Sequence, residues 1–174
     1  MATDAELAWN LARHDLPLVA VPEAGAGSGV ELAPADLIAA LLSSRDPLFV
    51  SVAVPYLLFV ASADGAVKAA GGRVVPPLDR VLRHVHVAAA ALGARWRTRL
   101  RLAGVVPPPD RFAAELGLPD PAGGFGEPCL RAVWERFESG EAGVRLRGAA
   151  TMIPRLVDRA FELVEREGIR AAAR

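Results

Sequence analysis

The residues best suited to binding chemistry are arginines in the middle of the chain. Seven arginines and a single acid, Asp79, lie between residues 73 and 101. On a helix, four of them project from one side, opposite a stripe that includes Leu82, Val85, Leu92 and Trp96, and these four are Arg80, Arg83, Arg97 and Arg101. Guanidinium groups bind carboxylates and phosphates through a fixed fork of donors. The spacing predicts an exposed basic face that binds an acidic partner, with the apolar stripe buried.

An intramolecular role competes with this prediction. Residues 110–141 contain seven acids and three arginines, so their carboxylates can neutralise the same face. Val87 indicates that part of the face is covered, whereas Ala90 and Ala94 leave room for an approaching partner. Stacking aromatic residues do not interleave the arginines, which favours a protein over a nucleic acid. Arg99 projects near the apolar stripe, so we expect it to be paired or to extend to the surface.

A catalytic alternative involves Arg80 and His86, which match the loose Arg–His pattern of the helical ribonuclease-like domains called HEPN. A nuclease needs both side chains in one exposed cleft, yet six residues separate them by about 120° around a straight helix. His84 and His86 point about 200° apart on a helix and cannot share a metal ion. No spacing typical of a zinc site occurs. We therefore predict no catalytic residue, no metal and no cofactor, and we lean towards a protein that is not an enzyme.

Two other segments are expected to be structural. Gly25, Gly27 and Gly29 follow an apolar run, but the third glycine is misplaced for a dinucleotide-binding turn, and no strand–helix alternation follows. We predict a flexible glycine-rich loop at residues 22–30. Residues 48–63 carry no charge but are shorter than the roughly 20 residues that span a membrane. This segment predicts a buried helix inside a soluble domain.

Length and composition define the class of protein. A chain of 174 residues, 52% of them hydrophobic, is long enough to form one domain with a substantial core. Its 20 basic and 20 acidic residues balance, so no overall field favours nucleic acid or membrane. Cys129 is the single cysteine, which excludes an internal disulfide. The first ten residues lack the features of a signal peptide, and we expect a cytoplasmic protein.

Helical periodicity predicts an all-α fold. We expect one domain over residues 1–174, an irregular bundle of about five to seven helices. The longest helix is predicted at 77–103, ended by Gly104 and three prolines. Shorter helices are predicted at 5–13, 34–44, 109–116 and 128–139, within 48–63, and from 151 onward. Residues 16–21 allow a lone strand, and the alternation in 95–102 leaves a strand open there.

Three stretches resemble a family of small uncharacterised prokaryotic proteins. The shared motifs are Trp96-Arg97-Thr98-Arg99-Leu100, Phe112-Ala113-Ala114-Glu115-Leu116-Gly117-Leu118-Pro119 and Gly126-Glu127-Pro128-Cys129-Leu130-Arg131-Ala132. Members of the family are sometimes encoded beside minimal nucleotidyltransferases, so the resemblance implies an accessory or antitoxin-like role. The family's Asn-Trp segment before the last helix is replaced here by residues 144–153. The resemblance implies no catalytic residues.

These observations predict a non-catalytic interaction or accessory protein. The expected partner is a protein, with a nucleotidyltransferase favoured by the resemblance, and RNA or DNA comes second. A HEPN-like ribonuclease and a nucleic-acid-binding module formed by residues 80–101 are the alternatives. The sequence predicts no oligomeric state.

Overall fold

The all-α prediction is confirmed by a computed structural model that describes residues 2–14, 16–19, 30–60 and 64–167. No strand occurs within these ranges, so residues 16–19 are not one. Apart from Val30, the predicted glycine-rich loop at 22–30 lies outside the described residues. Eight α-helices are described, and a short 3-10 helix, Gly123–Gly126, precedes the seventh. The α-helices are α1 (Asp4–Arg13), α2 (Pro34–Leu42), α3 (Pro47–Phe59), α4 (Asp64–Gly71), α5 (Leu78–Arg95), α6 (Arg97–Leu102), α7 (Glu127–Ser139) and α8 (Ala149–Glu167).

The helix α3 lies at the centre of the core. It begins where the Asp46 carboxylate accepts a hydrogen bond from the Leu48 amide at 2.8 Å, followed by Pro47 in the first turn. Every residue from Phe49 to Phe59 is buried, because α2, α5 and α8 pack around the helix. The predicted buried helix is therefore confirmed for α3, while residues 61–63 lie outside the described ranges. No helix in the described part of the chain is long and apolar enough to cross a membrane.

The long helix predicted at 77–103 is two helices. The backbone leaves helical geometry at Trp96, with φ −111° and ψ 25°, so α5 ends at Arg95 and α6 begins at Arg97. The stripe is otherwise as predicted, with Leu82, Val85 and Leu92 buried. Trp96 is partly exposed, and its ring packs against Phe161 of α8 at 5.0 Å between centroids. The strand alternative for residues 95–102 is wrong.

Two other sequence-based boundaries are wrong for identifiable reasons. Gly65 and the pair Gly71-Gly72 indicate a loop after the apolar segment, but Asp64–Gly71 forms α4, because Val67 and Ala70 are buried and α4 packs against α2. That packing offsets the roughly 1 kcal/mol by which a glycine disfavours a helix. Residues 109–116 form turns and not a helix. The turns close where the Leu118 amide donates to the Ala113 carbonyl at 2.8 Å.

Candidate partner-binding site

The predicted basic face is divided in two. Arg80 and Arg83 lie on α5, and Arg97 and Arg101 lie on α6, beyond the break at Trp96. Between the two pairs, Val87 is 0% exposed and Ala90 is 7% exposed. The segment at residues 107–110 lies against this part of α5, and a β-carbon at Gly93 would collide with the Pro107 ring. The exposed basic surface is therefore not continuous, as Val87 indicates in the sequence.

Arg83 is held by contacts within the chain, and the prediction that it is exposed is wrong. Its guanidinium pairs with Asp79 on α5, with 2.9 Å between Nη2 and Oδ2, and it also pairs with Glu115. It lies 5.8 Å from the centroid of the Phe112 ring. The hydrogen bond to Asp79, and then the charges of both acids, raise the pKa of Arg83. The acidic segment at 110–141 thus neutralises this arginine, as the intramolecular alternative predicts.

The other three predicted arginines are exposed. Arg80, Arg97 and Arg101 make no ion pair with any residue in the described ranges. Arg99 differs from them, because it pairs with Asp158 and Glu165 of α8, as expected for an arginine near the apolar stripe. Exposed guanidinium donors therefore lie on both sides of the covered part of α5.

A groove of about 600 Å³ opens beside the break between α5 and α6. Residues 94–99 form one wall, and the loop before α7 forms the other through Ala122, Gly124 and Phe125. Three of the lining residues are arginines, and none of the described lining residues is acidic. Arg95 forms an ion pair with Glu127, with 2.7 Å between Nη1 and Oε2. Arg97 and Thr98 are exposed, so they offer their donors to a ligand.

The loop wall has an unusual backbone. Gly124, Phe125 and Gly126 all have positive φ, at 54°, 55° and 78°. Only glycine fits at position 126, because a β-carbon there would collide with the Ala91 carbonyl of α5. That close approach fixes the loop against α5. Phe125 is left in a left-handed conformation that costs about 1–2 kcal/mol for a residue with a β-carbon.

Phe125 is also 80% exposed, so its ring gains little from burial in the fold. A large apolar side chain in solvent, on a strained backbone at the edge of a basic groove, is an arrangement that recurs at ligand contacts. Phe125 was not among the residues predicted from the sequence. The sequence signal for it is a phenylalanine among three glycines at residues 123–126.

A smaller cavity of about 230 Å³ adjoins the groove. Arg97, Ala94 and Ala122 line both cavities. The smaller one is bounded by three prolines at residues 107–109 and by the carboxylates of Asp110 and Asp120. The positive surface near Arg97 is therefore local, with acidic groups on its far side.

The geometry that a HEPN-like nuclease requires is not present. Arg80 is exposed, but His86 is 1% exposed and its ring packs edge-on against Phe112 at 5.1 Å. His84 is fully buried, and its Nδ1 lies 2.8 Å from the Arg80 carbonyl oxygen. Burial lowers the pKa of both histidines. Within the described ranges, no group of three or more His, Cys, Asp or Glu side chains could hold a metal ion.

The cysteine is unsuited to nucleophilic chemistry. Cys129 is 0% exposed, on the first turn of α7. Burial, and then the charges of Asp110 and Asp120, raise the pKa of its thiol to about 12. The thiolate is the reactive form of cysteine, so this side chain is inert near neutral pH.

The groove, with its arginines and exposed Phe125, is therefore the best-defined candidate site. Comparison with known proteins adds no family to this description: no protein-family model, no curated protein and no solved structure matches the chain.

Proposed function

We propose that the protein is a non-catalytic accessory protein that binds an acidic segment of another protein in the groove beside the α5–α6 break. The observation that carries the proposal is a pair of exposed side chains on opposite walls of one groove. They are the guanidinium of Arg97, which makes no ion pair within the described ranges, and the apolar ring of Phe125. Arginine and aromatic side chains are enriched at protein interfaces, and charged residues around an apolar centre select the partner.

The charge distribution favours a protein over a nucleic acid. A strand of RNA or DNA needs a positive track along several phosphates. Here Arg83 is neutralised by Asp79 and Glu115, and Asp110 and Asp120 line the cavity next to Arg97. A short acidic segment fits a positive surface of this limited extent, whereas a longer polyanion would meet the acids.

The resemblance to proteins encoded beside minimal nucleotidyltransferases favours such an enzyme as the partner and an antitoxin-like role in the cytoplasm. Co-expression with the product of a neighbouring nucleotidyltransferase gene, followed by size-exclusion chromatography, tests this part of the proposal. Co-elution that Arg97→Glu abolishes and Arg80→Glu preserves supports it. Separate elution of the two wild-type proteins contradicts it.

The groove itself is tested by nuclear magnetic resonance with an acetylated hexaglutamate peptide. We expect the peptide to shift the backbone amide signals of residues 95–99 and 122–126 in the ¹⁵N-labelled protein. The shifts should shrink as salt rises from about 50 to 500 mM, because ions screen exposed charges. Arg97→Glu should abolish them, since it reverses the charge of the free guanidinium.

Arg80→Glu is the matched control, because Arg80 is also exposed and without an ion pair in the described ranges but lies far along α5. It should leave the shifts unchanged. Shifts centred on Arg80, or shifts that survive Arg97→Glu, would contradict the proposed site. Larger shifts with a twelve-nucleotide oligothymidylate than with hexaglutamate would favour the nucleic-acid alternative instead.

A further inference from the structure

We propose that Phe125 is a fixed aromatic anchor, and that the acidic segment bound in the groove carries an aromatic side chain next to its carboxylates. The inference rests on the proposed function and deepens it, because it names the second chemical feature of the partner. The two features are matched by two residues on opposite walls: the ring of Phe125 and the guanidinium of Arg97.

The backbone around Phe125 supports a role outside the fold. It has a left-handed conformation next to Gly126, which contacts Ala91 too closely for any β-carbon. Glycine at position 125 would adopt the same conformation without strain. The ring is absent from the buried cluster that holds the helices together, and it is 80% exposed. Packing among the described residues therefore does not account for a phenylalanine at this position.

The opposite wall of the groove is held by packing and ion pairs. Trp96 packs against Phe161 with 5.0 Å between ring centroids, and Arg99 lies over both rings. These contacts hold the backbone of residues 96–99, from which Arg97 and Thr98 reach solvent. The walls are thus positioned before a ligand arrives, which lowers the entropic cost of binding. A volume of about 600 Å³ is within the range of sites that enclose small ligands.

An aromatic partner side chain suits this site better than an aliphatic one. Aromatic rings attract each other in offset or edge-on arrangements beyond the effect of buried area. A ring held near Phe125 also lies in a groove rimmed by arginines, and guanidinium groups are attracted to the faces of aromatic rings. Flanking carboxylates would then accept hydrogen bonds from Arg97 and from the Thr98 hydroxyl.

Two peptides of equal charge test the anchor. One is acetylated Asp-Glu-Phe-Glu-Asp, and the other has cyclohexylalanine at its centre, which keeps the apolar bulk but removes the aromatic ring. We expect the phenylalanine peptide to bind about threefold to tenfold more tightly in the same resonance titration. Phe125→Ala should remove that preference. Leu102→Ala is the control, because Leu102 is also an exposed apolar residue but lies on α6 and does not line the groove, and it should preserve the preference.

Thermal unfolding separates the anchor from a structural role. The melting temperature of Phe125→Gly should equal or exceed that of the wild type, and should exceed that of Phe125→Ala, because alanine keeps the backbone strain. A melting temperature for Phe125→Gly several degrees below the wild type would show that the ring stabilises the fold, and would overturn the inference.

The failures are distinguishable. If both peptides bind equally and Arg97→Glu abolishes both, the proposed function stands and the aromatic anchor is wrong. If neither peptide nor hexaglutamate shifts the groove signals, both proposals are wrong. If oligothymidylate shifts the amide signal of Phe125 at a lower concentration than the phenylalanine peptide does, the ring serves a nucleic acid and the inference is overturned.

Discussion

The guanidinium of Arg99 lies 4.0 Å from the centroid of the Phe161 ring and pairs at the same time with two acids of α8, Asp158 and Glu165. This arginine therefore joins α6 to α8 across the corner where α5 ends. Its hydrogen bonds to Glu165 raise the pKa of Arg99 and lower the pKa of Glu165. The same contacts fix one wall of the candidate groove.

Arg99→Ala should lower the free energy of unfolding by about 1–2 kcal/mol, because it removes partly exposed ion pairs and the cation–π contacts with Trp96 and Phe161. The free energy of unfolding of Arg99→Lys should lie between those of the wild type and Arg99→Ala, because lysine keeps the charge but lacks the planar fork. Urea denaturation measures both. Arg97→Ala is the control, since Arg97 makes no ion pair within the described ranges. Equal effects of Arg99→Ala and Arg97→Ala would contradict this account.

A second prediction concerns the start of α8. Glu138 of α7 accepts hydrogen bonds from the amides of Gly148 and Ala149, where α8 begins, with its Oε1 3.2 Å from the Ala149 amide. Because these donors have no partner inside the helix, Glu138→Ala should cost about 1 kcal/mol of stability. Glu138→Gln keeps an acceptor and should recover part of it. Glu135→Ala, on an exposed position of the same helix, should change little.

The loop before α7 gives a third prediction, based on two glycines with similar φ. Gly126→Ala should destabilise the protein by at least about 2 kcal/mol, because the added methyl group collides with the Ala91 carbonyl. Gly104→Ala meets nothing within 4 Å, so it should cost about 1–2 kcal/mol from backbone strain alone. Thermal or urea unfolding compares them. A smaller effect at 126 than at 104 would mean that the loop is not fixed against α5.

The sequence predicted those parts of the fold that depend on local signals. Asp46 followed by Pro47 marks the start of α3, and the regular spacing of Leu82, Val85 and Leu92 marks the buried side of α5. These signals lie within a few residues of their effects. At the break, Trp96 instead packs against Phe161, which is distant in sequence, and periodicity carries no information about such a contact.

Only the part of the candidate site that depends on local sequence signals was predicted. Arg97 was identified from its projection on a helix, and the acidic segment that pairs with Arg83 was identified from its composition. The opposite wall of the groove could not be predicted, because Phe125 reaches it through the packing of Gly126 against Ala91. That packing joins residues from separate elements, and a single sequence does not indicate which elements meet.

The buried histidines predict how stability depends on pH. Burial lowers the pKa of His84 and His86 below the ordinary value of 6.5, so the unfolded chain binds protons that the folded chain does not. The free energy of unfolding should therefore fall as the pH drops below about 6.5. Urea titrations at about pH 7.5 and 5.5 measure this change. His86→Leu should weaken it.

The range from about pH 7.5 to 5.5 reports the effect of the histidines and not that of the acids. Burial dominates over the opposing charges, which are Asp110 near His86 and Glu141 near His84. The carboxyl groups with a lowered pKa, Glu6 and Glu165, lose their contribution to stability only as the pH falls below their ordinary value of 4.5. A urea midpoint that does not change between about pH 7.5 and 5.5 would contradict the prediction.

The last prediction separates Arg83, which makes ion pairs within the chain, from the three exposed arginines of the predicted basic face. Arg83→Ala should lower the free energy of unfolding by about 1 kcal/mol, because it removes the pairs with Asp79 and Glu115 and the contact with Phe112. A triple variant with alanine at Arg80, Arg97 and Arg101 should remain within about 0.5 kcal/mol per site of the wild type. That variant should nevertheless lose hexaglutamate binding, whereas Arg83→Ala should keep it. Urea denaturation and the resonance titration give the two readouts on the same samples. If the triple variant unfolds, the exposed arginines are structural. If Arg83→Ala alone abolishes binding, hexaglutamate binds at the α5 end of the basic face and not in the groove.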